Sequence, residues 1–254
     1  MQYLMIHDIR IDYFDLRLNR YRLTFDDGLF SQYYYFPNYS IHPEKINYFI
    51  ATAFIKPGQA RGMFTGEYIA YLKTQKYMFR SINEGKFDHF MTTEELQDLA
   101  RRPNVNIGVH SHFHAVILTR THPRKRKPLS AWKLNYFDNL PEIFQRDFSI
   151  RSKLAFQGFN CQDAVITRRT VAEWEDYIRY DTERCIQWVE DNLGFTPDRY
   201  CFPFNEHNEK LVSILKTFGF KKFFAARPGK DPEVTGRIDI DSLLDDQPRR
   251  DHRG

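Results

Sequence analysis

Cysteine is scarce in this chain, and the spacing of its few cysteines argues against a cysteine metal site and against a complete set of disulfides. Cys161, Cys185 and Cys201 are far apart, show no metal-ligand spacing, and leave one thiol unpaired in any disulfide scheme. This pattern is typical of a protein from a reducing compartment.

Long apolar runs are also missing. The longest, residues 48–55, is far too short to span a bilayer. The N-terminal residues MQYLMIHDIRIDYFD contain no basic segment followed by a long apolar one, as a signal peptide would. The sequence therefore predicts neither a transmembrane segment nor a leader, and a cytoplasmic location is the default expectation.

A strong charge of one sign is absent as well. The net charge is +4 and the pI is near 8.8, which is too mild to indicate a nucleic-acid partner. Much of the positive excess lies in one run of basic residues, Arg124, Lys125, Arg126 and Lys127. We interpret this run as a solvated loop; the alternative is a patch that contacts a phosphate or an anionic lipid surface.

Aromatic residues, in contrast, are abundant, with 23 Phe and 15 Tyr. Core packing explains them most simply, whereas exposed rings would be able to stack on sugars. Composition alone does not choose between these two roles.

The 254 residues suffice for one α/β barrel or two small domains. No repeat or low-complexity linker divides them, and short apolar runs alternate with helical stretches, which indicates βα units and a largely parallel sheet. We predict one domain over 1–244, insertions on its loop face at about 58–90 and 119–168, and a disordered tail at 245–254. The predicted strands are 2–6, 21–25, 47–55, 105–109, 199–202, 222–225 and 237–240. The predicted helices are 92–100, 170–192 and 206–218.

Two adjacent carboxylates, Asp26 and Asp27, end the second predicted strand in the segment LTFDDG. Asp-Asp-Gly is good turn chemistry, so a turn is the simpler interpretation. The alternative places both carboxylates at the carboxyl rim of a parallel sheet, where adjacent side chains diverge. One carboxylate would then bind a metal while the other faces a reacting water.

Three of the nine histidines, His110, His112 and His114, fall within five residues just after the strand predicted at 105–109. A His-x-x-x-His pair beside a strand end has the spacing of divalent-metal ligands. If this segment is extended, all three imidazoles share one face; if it turns, only His110 and His114 converge. A fortuitous surface cluster is the remaining alternative.

These two motifs together resemble those of the polysaccharide deacetylases, carbohydrate esterase family 4, which includes chitin, peptidoglycan and poly-N-acetylglucosamine deacetylases. The resemblance implies a distorted (β/α) barrel of about seven parallel strands that binds one divalent metal ion on an Asp-His-His triad. By position, it assigns Asp26 as the general base and Asp27, His110 and His114 as the metal ligands. Zinc is the expected ion, and Co²⁺, Ni²⁺ and Mn²⁺ accept the same ligands.

The resemblance also assigns neighbouring residues of these motifs. Ser111 would support the histidine loop through a hydrogen bond, whereas His112 falls on a variable position and receives no role. Where the family has Arg-x-Pro followed by Tyr or Phe, this chain has CFPF at 201–204. Pro203 and Phe204 keep the pattern, and the Phe204 N–H is assigned to an oxyanion hole.

The arginine of that motif, which would hold the base carboxylate, is replaced by Cys201. Some branches of the family also lack it. Arg237 in Gly-Arg-Ile-Asp is our candidate for supplying the missing charge.

The family's last motif, Leu-x-Ile-His, carries the general-acid histidine but has no match after residue 210. The N-terminal residues Leu4-Met5-Ile6-His7 match it letter for letter. This order is similar to a circularly permuted branch typified by poly-N-acetylglucosamine deacetylases. Because the first and last strands of a closed barrel are neighbours, the permutation would preserve the site and make His7 the general acid.

The sequence thus predicts a metal-dependent hydrolase that removes an N-acetyl group from an amino sugar in a polysaccharide or glycan precursor. One alternative is an amidohydrolase acting on a small, lipid-linked or nucleotide-linked amide. Another is a degenerate relative that binds glycan without turnover, for which the lost arginine is the main argument.

Overall fold

Eleven strands are present in the computed structural model, which describes residues 1–66, 74–120, 140, 147–226 and 232–245. In chain order the strands are β1 (Tyr3–Ile6), β2 (Arg22–Asp27), β3 (Ile46–Ile50), β4 (Val105–Val109), β5 (Val116–Arg120), β6 (Phe148–Ser152), β7 (Phe159–Gln162), β8 (Val165–Arg168), β9 (Arg199–Cys201), β10 (Lys222–Ala225) and β11 (Val234–Asp239). Seven of them form a closed barrel in the order β1-β11-β10-β9-β4-β3-β2, with every pairing parallel. This confirms the predicted (β/α) barrel of about seven strands.

The helices lie between the strands, except the last, which follows β11. They are α1 (Phe30–Tyr34), α2 (Phe36–Tyr39), α3 (Thr74–Glu84), α4 (Thr93–Ala100), α5 (Val171–Leu193), α6 (Glu209–Thr217) and α7 (Asp241–Asp245). Short 3₁₀ turns lie at Ile11–Asp15, Leu18–Arg20, Thr52–Phe54 and Pro203–Asn205. Among the described residues, no helix is both apolar enough and long enough to cross a bilayer.

Two helices begin where the sequence predicts, because their caps are local. Thr92 and Thr170 each cap a helix in a reciprocal capping box with a glutamate three residues later. Gly194 ends α5 in the left-handed conformation, as a C-terminal glycine typically does. The third helix starts later than predicted, at Glu209, because the Asn208 side chain accepts a hydrogen bond from Leu211 N–H and caps it there.

The strand predicted at 47–55 is too long. β3 ends at Ile50, and the chain turns through Thr52–Phe54. The N–H groups of Thr52 and Ala53 leave the sheet ladder and donate to the carbonyls of Ser111 and His112. The last strand, in turn, starts earlier than predicted, at Val234, because its first residues pair with β10 before Arg237 reaches β1.

Residues of the second predicted insertion form structure that the sequence did not indicate. β5, β6, β7 and β8 make a separate antiparallel sheet in the order β6-β5-β7-β8. It lies at the carboxyl end of the barrel, where Ser152 N–H donates to Glu206 and Arg151 pairs with the same carboxylate. The basic run at 124–127 and the tail beyond 245 lie outside the described residues.

Buried aromatic rings fill much of the interior. Phe25, Tyr48 and Tyr200 are almost fully buried, and Phe25 stacks between Tyr39 and Tyr48 at centroid distances of 5.1 and 5.0 Å. A second cluster packs α5 and α6 against β9 and β10. Core packing therefore accounts for these rings.

We expect Phe25→Ala to lower the free energy of unfolding by ~3–5 kcal/mol, because it leaves a cavity between the rings of Tyr39 and Tyr48. Denaturant unfolding measures the change. Ile41→Ala is the control, since Ile41 is 92% exposed and its loss should change stability by less than ~0.5 kcal/mol. Equal effects of the two substitutions would contradict this account of the core.

Candidate active site

The functional side chains meet at the carboxyl rim of the barrel. Strand register places Ile6 of β1 beside Phe25 of β2, so the residues that follow, His7 and Asp26, come to the same level. Ile50 of β3 lies between Asp27 and Val109, which brings His110 to the adjoining position. The rim thus collects motifs that are widely separated in the sequence.

Asp26 and Asp27 diverge because the strand ends in a turn. Asp27 has a φ of 74° and Gly28 a φ of 82°, both in the left-handed region. This φ favours glycine at position 28, where a Cβ would also come within 2.9 Å of the end of the Ile55 side chain. The turn and the site are therefore both present, and the turn separates the two carboxylates.

Asp27 lies between two histidines. Its Oδ1 is 3.5 Å from His110 Nε2 and 3.7 Å from His114 Nε2, and all three residues are buried. Ligands of tetrahedral zinc with bonds of ~2.1 Å are about 3.4 Å apart, close to these separations. Asp27 Oδ1 has no hydrogen-bond partner within the described residues, as expected for an atom that binds a cation.

The surroundings of His110 and His114 favour the neutral form of both imidazoles, which is the form that binds a metal. His110 Nδ1 is 2.9 Å from the Cys201 carbonyl, to which it donates, so the lone pair of Nε2 is directed at Asp27. Burial lowers the pKa of His110 and lowers that of His114 to about 4, so both are uncharged near pH 7. The donor set and the unpartnered Asp27 oxygen fit a divalent ion.

The structure separates His112 from the other two histidines. Its Nδ1 lies 2.7 Å from Thr52 Oγ1, outside the group formed with Asp27. Ser111 and His114 both have positive φ, so the loop turns rather than staying extended. Ser111 supports this loop as predicted, because its Oγ accepts a hydrogen bond from His114 N–H at 2.9 Å.

Arg237 forms a buried ion pair with Asp26. Its two terminal nitrogens lie 2.6 and 2.8 Å from the two carboxylate oxygens, and it also contacts Thr24 and Asn205. Burial raises the pKa of Asp26, but the guanidinium outweighs it and holds that pKa well below its ordinary value. Arg237 on β11 therefore supplies the positive charge that Cys201 cannot supply. The Cys201 thiol lies 3.6 Å from the Asp26 carboxylate.

His7 completes the rim. Its Nε2 is 4.0 Å from Asp26 Oδ2, and its side chain is 36% exposed, against 1% for Asp26. A buried amide that sequence reasoning missed links the two: Gln32 Nε2 donates to the backbone carbonyls of His7 at 2.7 Å and Asp26 at 2.6 Å. No sequence signal identified Gln32, because the short helix α1 that carries it was not predicted.

The Pro203–Asn205 turn lies against the histidines. Phe204 and Asn205 have φ values of 59° and 57°, and the Phe204 ring is 4.6 Å from the His114 ring. Phe204 also packs against two apolar clusters that include residues of the two predicted insertions. The aromatic residue of the motif thus lies next to a candidate metal ligand.

A second group with metal-ligand geometry, Asp26, His110 and Cys201, overlaps the first. Here the carboxylate charge is already balanced by the two-point contact with Arg237. A further cation beside that guanidinium would be repelled, so the Asp27 group is the better metal site. The three cysteines are free thiols.

No protein-family model matches the chain, and no curated protein matches it significantly. Solved structures do resemble it. The deacetylase domain of BpsB from Bordetella bronchiseptica has a TM-score of 0.60 at 17% identity, covering 93% of both chains. A de-N-acetylase from Aggregatibacter actinomycetemcomitans has a TM-score of 0.57 at 12% identity, covering 96% of this chain and 98% of that one. IcaB from Ammonifex degensii has a TM-score of 0.52 at 16% identity, covering 94% and 90%. The chain shares the fold of these proteins.

We expect Arg237→Met to lower the free energy of unfolding at pH 7 by ~3–5 kcal/mol, because it leaves Asp26 buried without its cation. In the parent protein the lowered pKa of Asp26 stabilises the folded state at pH values above about 3.8, the ordinary pKa of this carboxyl in the unfolded chain. This stabilisation is lost as the pH falls below that value. In the variant, burial raises that pKa, so the difference between the two proteins should shrink as pH falls towards 4. Denaturant unfolding at both pH values measures it.

Arg101→Met is the control for this ion pair, because the Arg101 side chain is 73% exposed. It should change stability by less than ~0.5 kcal/mol at either pH. A loss in Arg237→Met that does not depend on pH would mean that Asp26 is not the group responsible.

Proposed function

We propose that this chain, which shares its barrel with solved polysaccharide deacetylases, is a metal-dependent hydrolase that removes N-acetyl groups from amino sugars of a polysaccharide or glycan precursor. The observation that carries the proposal is the buried group of Asp27, His110 and His114 beside Asp26 and His7. This combination supplies ligands for a cation, a base and an acid around one point at the rim.

Asp27, His110 and His114 would hold one divalent ion, with zinc as the proposed identity. When bound, such an ion polarises a carbonyl and lowers the pKa of a water molecule, which is the chemistry that amide hydrolysis needs.

Asp26 is proposed as the general base. Its carboxylate stays ionised because Arg237 pairs with it, and it is therefore always able to accept a proton. The low pKa makes it a weak base, so it depends on a water that the site has already made more acidic. The Arg237 contact also fixes both carboxylate oxygens in direction.

His7 is proposed as the general acid. Its imidazole lies beside Asp26, is partly exposed, and would donate a proton to the departing amine. Gln32 fixes the backbone of His7 relative to that of Asp26, which keeps acid and base at a set separation. The Phe204 N–H would donate to the oxygen of the attacked carbonyl, with Pro203 shaping the turn that presents it.

An amidohydrolase acting on an amide with an apolar group is the second candidate. A cavity of about 430 Å³ lies beside the histidine loop, and its walls are mostly apolar. Phe54, Phe87, Phe113 and Tyr177 line it, with Lys153 as its charged member. Such a lining favours an apolar substituent over a bare sugar ring.

Three properties remain proposals from the sequence. A cytoplasmic location is one, and contact of the run at 124–127 with an anionic membrane surface is another. The third is the N-acetylated substrate itself. Its test compares the release of acetate from N-acetylglucosamine oligomers with the hydrolysis of a panel of monomeric amides, including apolar ones. Turnover of the monomeric amides alone would favour the second candidate.

We expect Asp27→Ala and His114→Ala to abolish binding of a divalent ion, because each removes one of three ligands. Elemental analysis of the purified proteins after equilibration with Zn²⁺ measures the bound metal. His112→Ala is the matched control, since this histidine belongs to the same motif but contacts Thr52 instead, and it should retain the metal. Near-normal metal in the first two variants would contradict the assigned site.

We expect His7→Gln to lower kcat/KM for deacetylation by ~10²–10⁴-fold while metal content stays unchanged, because a general acid contributes about this much and His7 is not a ligand. His42→Gln, which alters a histidine held by Leu18 and Glu44 away from the rim, should leave both quantities near normal. If the His7 variant retained full activity, the acid would have to be another group.

A further inference from the structure

The loop that carries His114 has an unfavourable backbone. Ser111 has a φ of 70° and His114 a φ of 48°, in the left-handed region that residues with a side chain rarely adopt. Such conformations persist only where the surroundings hold them. The contacts that hold this loop therefore determine where the imidazole of His114 lies.

One buried carboxylate, Asp181 of α5, holds three consecutive residues of this loop. It accepts hydrogen bonds from Ser111 Oγ at 3.0 Å, from His112 N–H at 3.0 Å and from Phe113 N–H at 3.1 Å. Ser111 Oγ in turn accepts from His114 N–H at 2.9 Å. A single hydroxyl, that of Ser111, therefore links Asp181 to the backbone of His114.

The other side of the loop is held by neutral groups. Thr52 and Ala53 donate their N–H groups to the carbonyls of Ser111 and His112. Asp181 is fully buried, and in the described part of the chain no lysine or arginine forms an ion pair with it. Burial raises the pKa of Asp181 to about 6, and the loop's own donors, with a smaller electrostatic contribution from Lys153, offset part of the penalty for burying its charge.

The negative charge of Asp181 would also help to balance the charge of a bound metal ion. Asp26 is neutralised by Arg237, so a divalent ion held by Asp27 and two neutral imidazoles would leave one positive charge unbalanced. Asp181 places a negative charge directly behind the loop that bears one of those imidazoles. In the low-dielectric interior this attraction is weakly screened.

We propose that Asp181 is a positioning residue that sets the affinity of the site for its divalent ion, by fixing the loop at 111–114 and balancing the ion's charge. This inference rests on the proposed metal site. Asp181 contacts neither ion nor substrate in this scheme, and it acts through Ser111 and the loop backbone. Partners that orient metal ligands in this way typically change metal affinity by ~10–100-fold.

The test is Asp181→Asn, which keeps the size of the side chain and removes its charge. The full chain is stripped of metal with a chelator and titrated with Zn²⁺ against a chromophoric competitor, at a temperature where circular dichroism shows each protein folded. We expect the Kd for Zn²⁺ to rise ~10–100-fold. Asp176→Asn, an exposed position on the same helix, is the charge-matched control and should leave the Kd unchanged.

Ser111→Ala is the second variant, for use if Asp181→Asn does not fold. It breaks only the relay between Asp181 and His114 and should also weaken Zn²⁺ binding. A folded variant of either kind with the parent's Kd would overturn the inference while leaving the proposed metal site intact. If the parent chain itself binds no divalent ion, the proposed function fails and this inference fails with it.

Discussion

β1 pairs in parallel with both β2 and β11, so the first strand of the chain lies between the strand that carries the two carboxylates and the last strand of the barrel. This pairing closes the barrel and brings His7 and Arg237 to Asp26 from opposite ends of the sequence. If the barrel were open at this seam, Asp26 would be a buried carboxylate without a cation. The rest of the candidate site depends on that closure.

The ion pair formed at the seam also separates the roles of the two adjacent carboxylates. Arg237 contacts both oxygens of Asp26 and leaves that carboxylate neutralised and fixed. Asp27, turned away by its left-handed backbone, is next to two neutral imidazoles and has an oxygen for which the described part of the chain supplies no hydrogen-bond donor. In the proposed function, the first carboxylate would accept a proton and the second would bind the cation.

Local signals in the sequence predicted local features well. The capping threonines, the C-terminal glycine of α5 and the buried parallel strands depend on residues within a few positions of each other, and all appear in the fold. The antiparallel sheet outside the barrel was not predicted, because β5 pairs with β6 across a segment of the chain that shows no clear periodicity. The end of β3 was also missed, since the histidine loop, distant in sequence, diverts the chain there.

The sequence by itself determined which chemical groups are available: the Asp-Asp-Gly turn, the pair His110 and His114, and the His7 motif that ends the first strand. Only the tertiary structure decided which groups meet. Gln32, Asp181 and the pairing of Arg237 with Asp26 depend on contacts between elements far apart in the chain. A charge or an amide shows no periodicity that identifies its partner, so its role is set by the closed barrel that buries it.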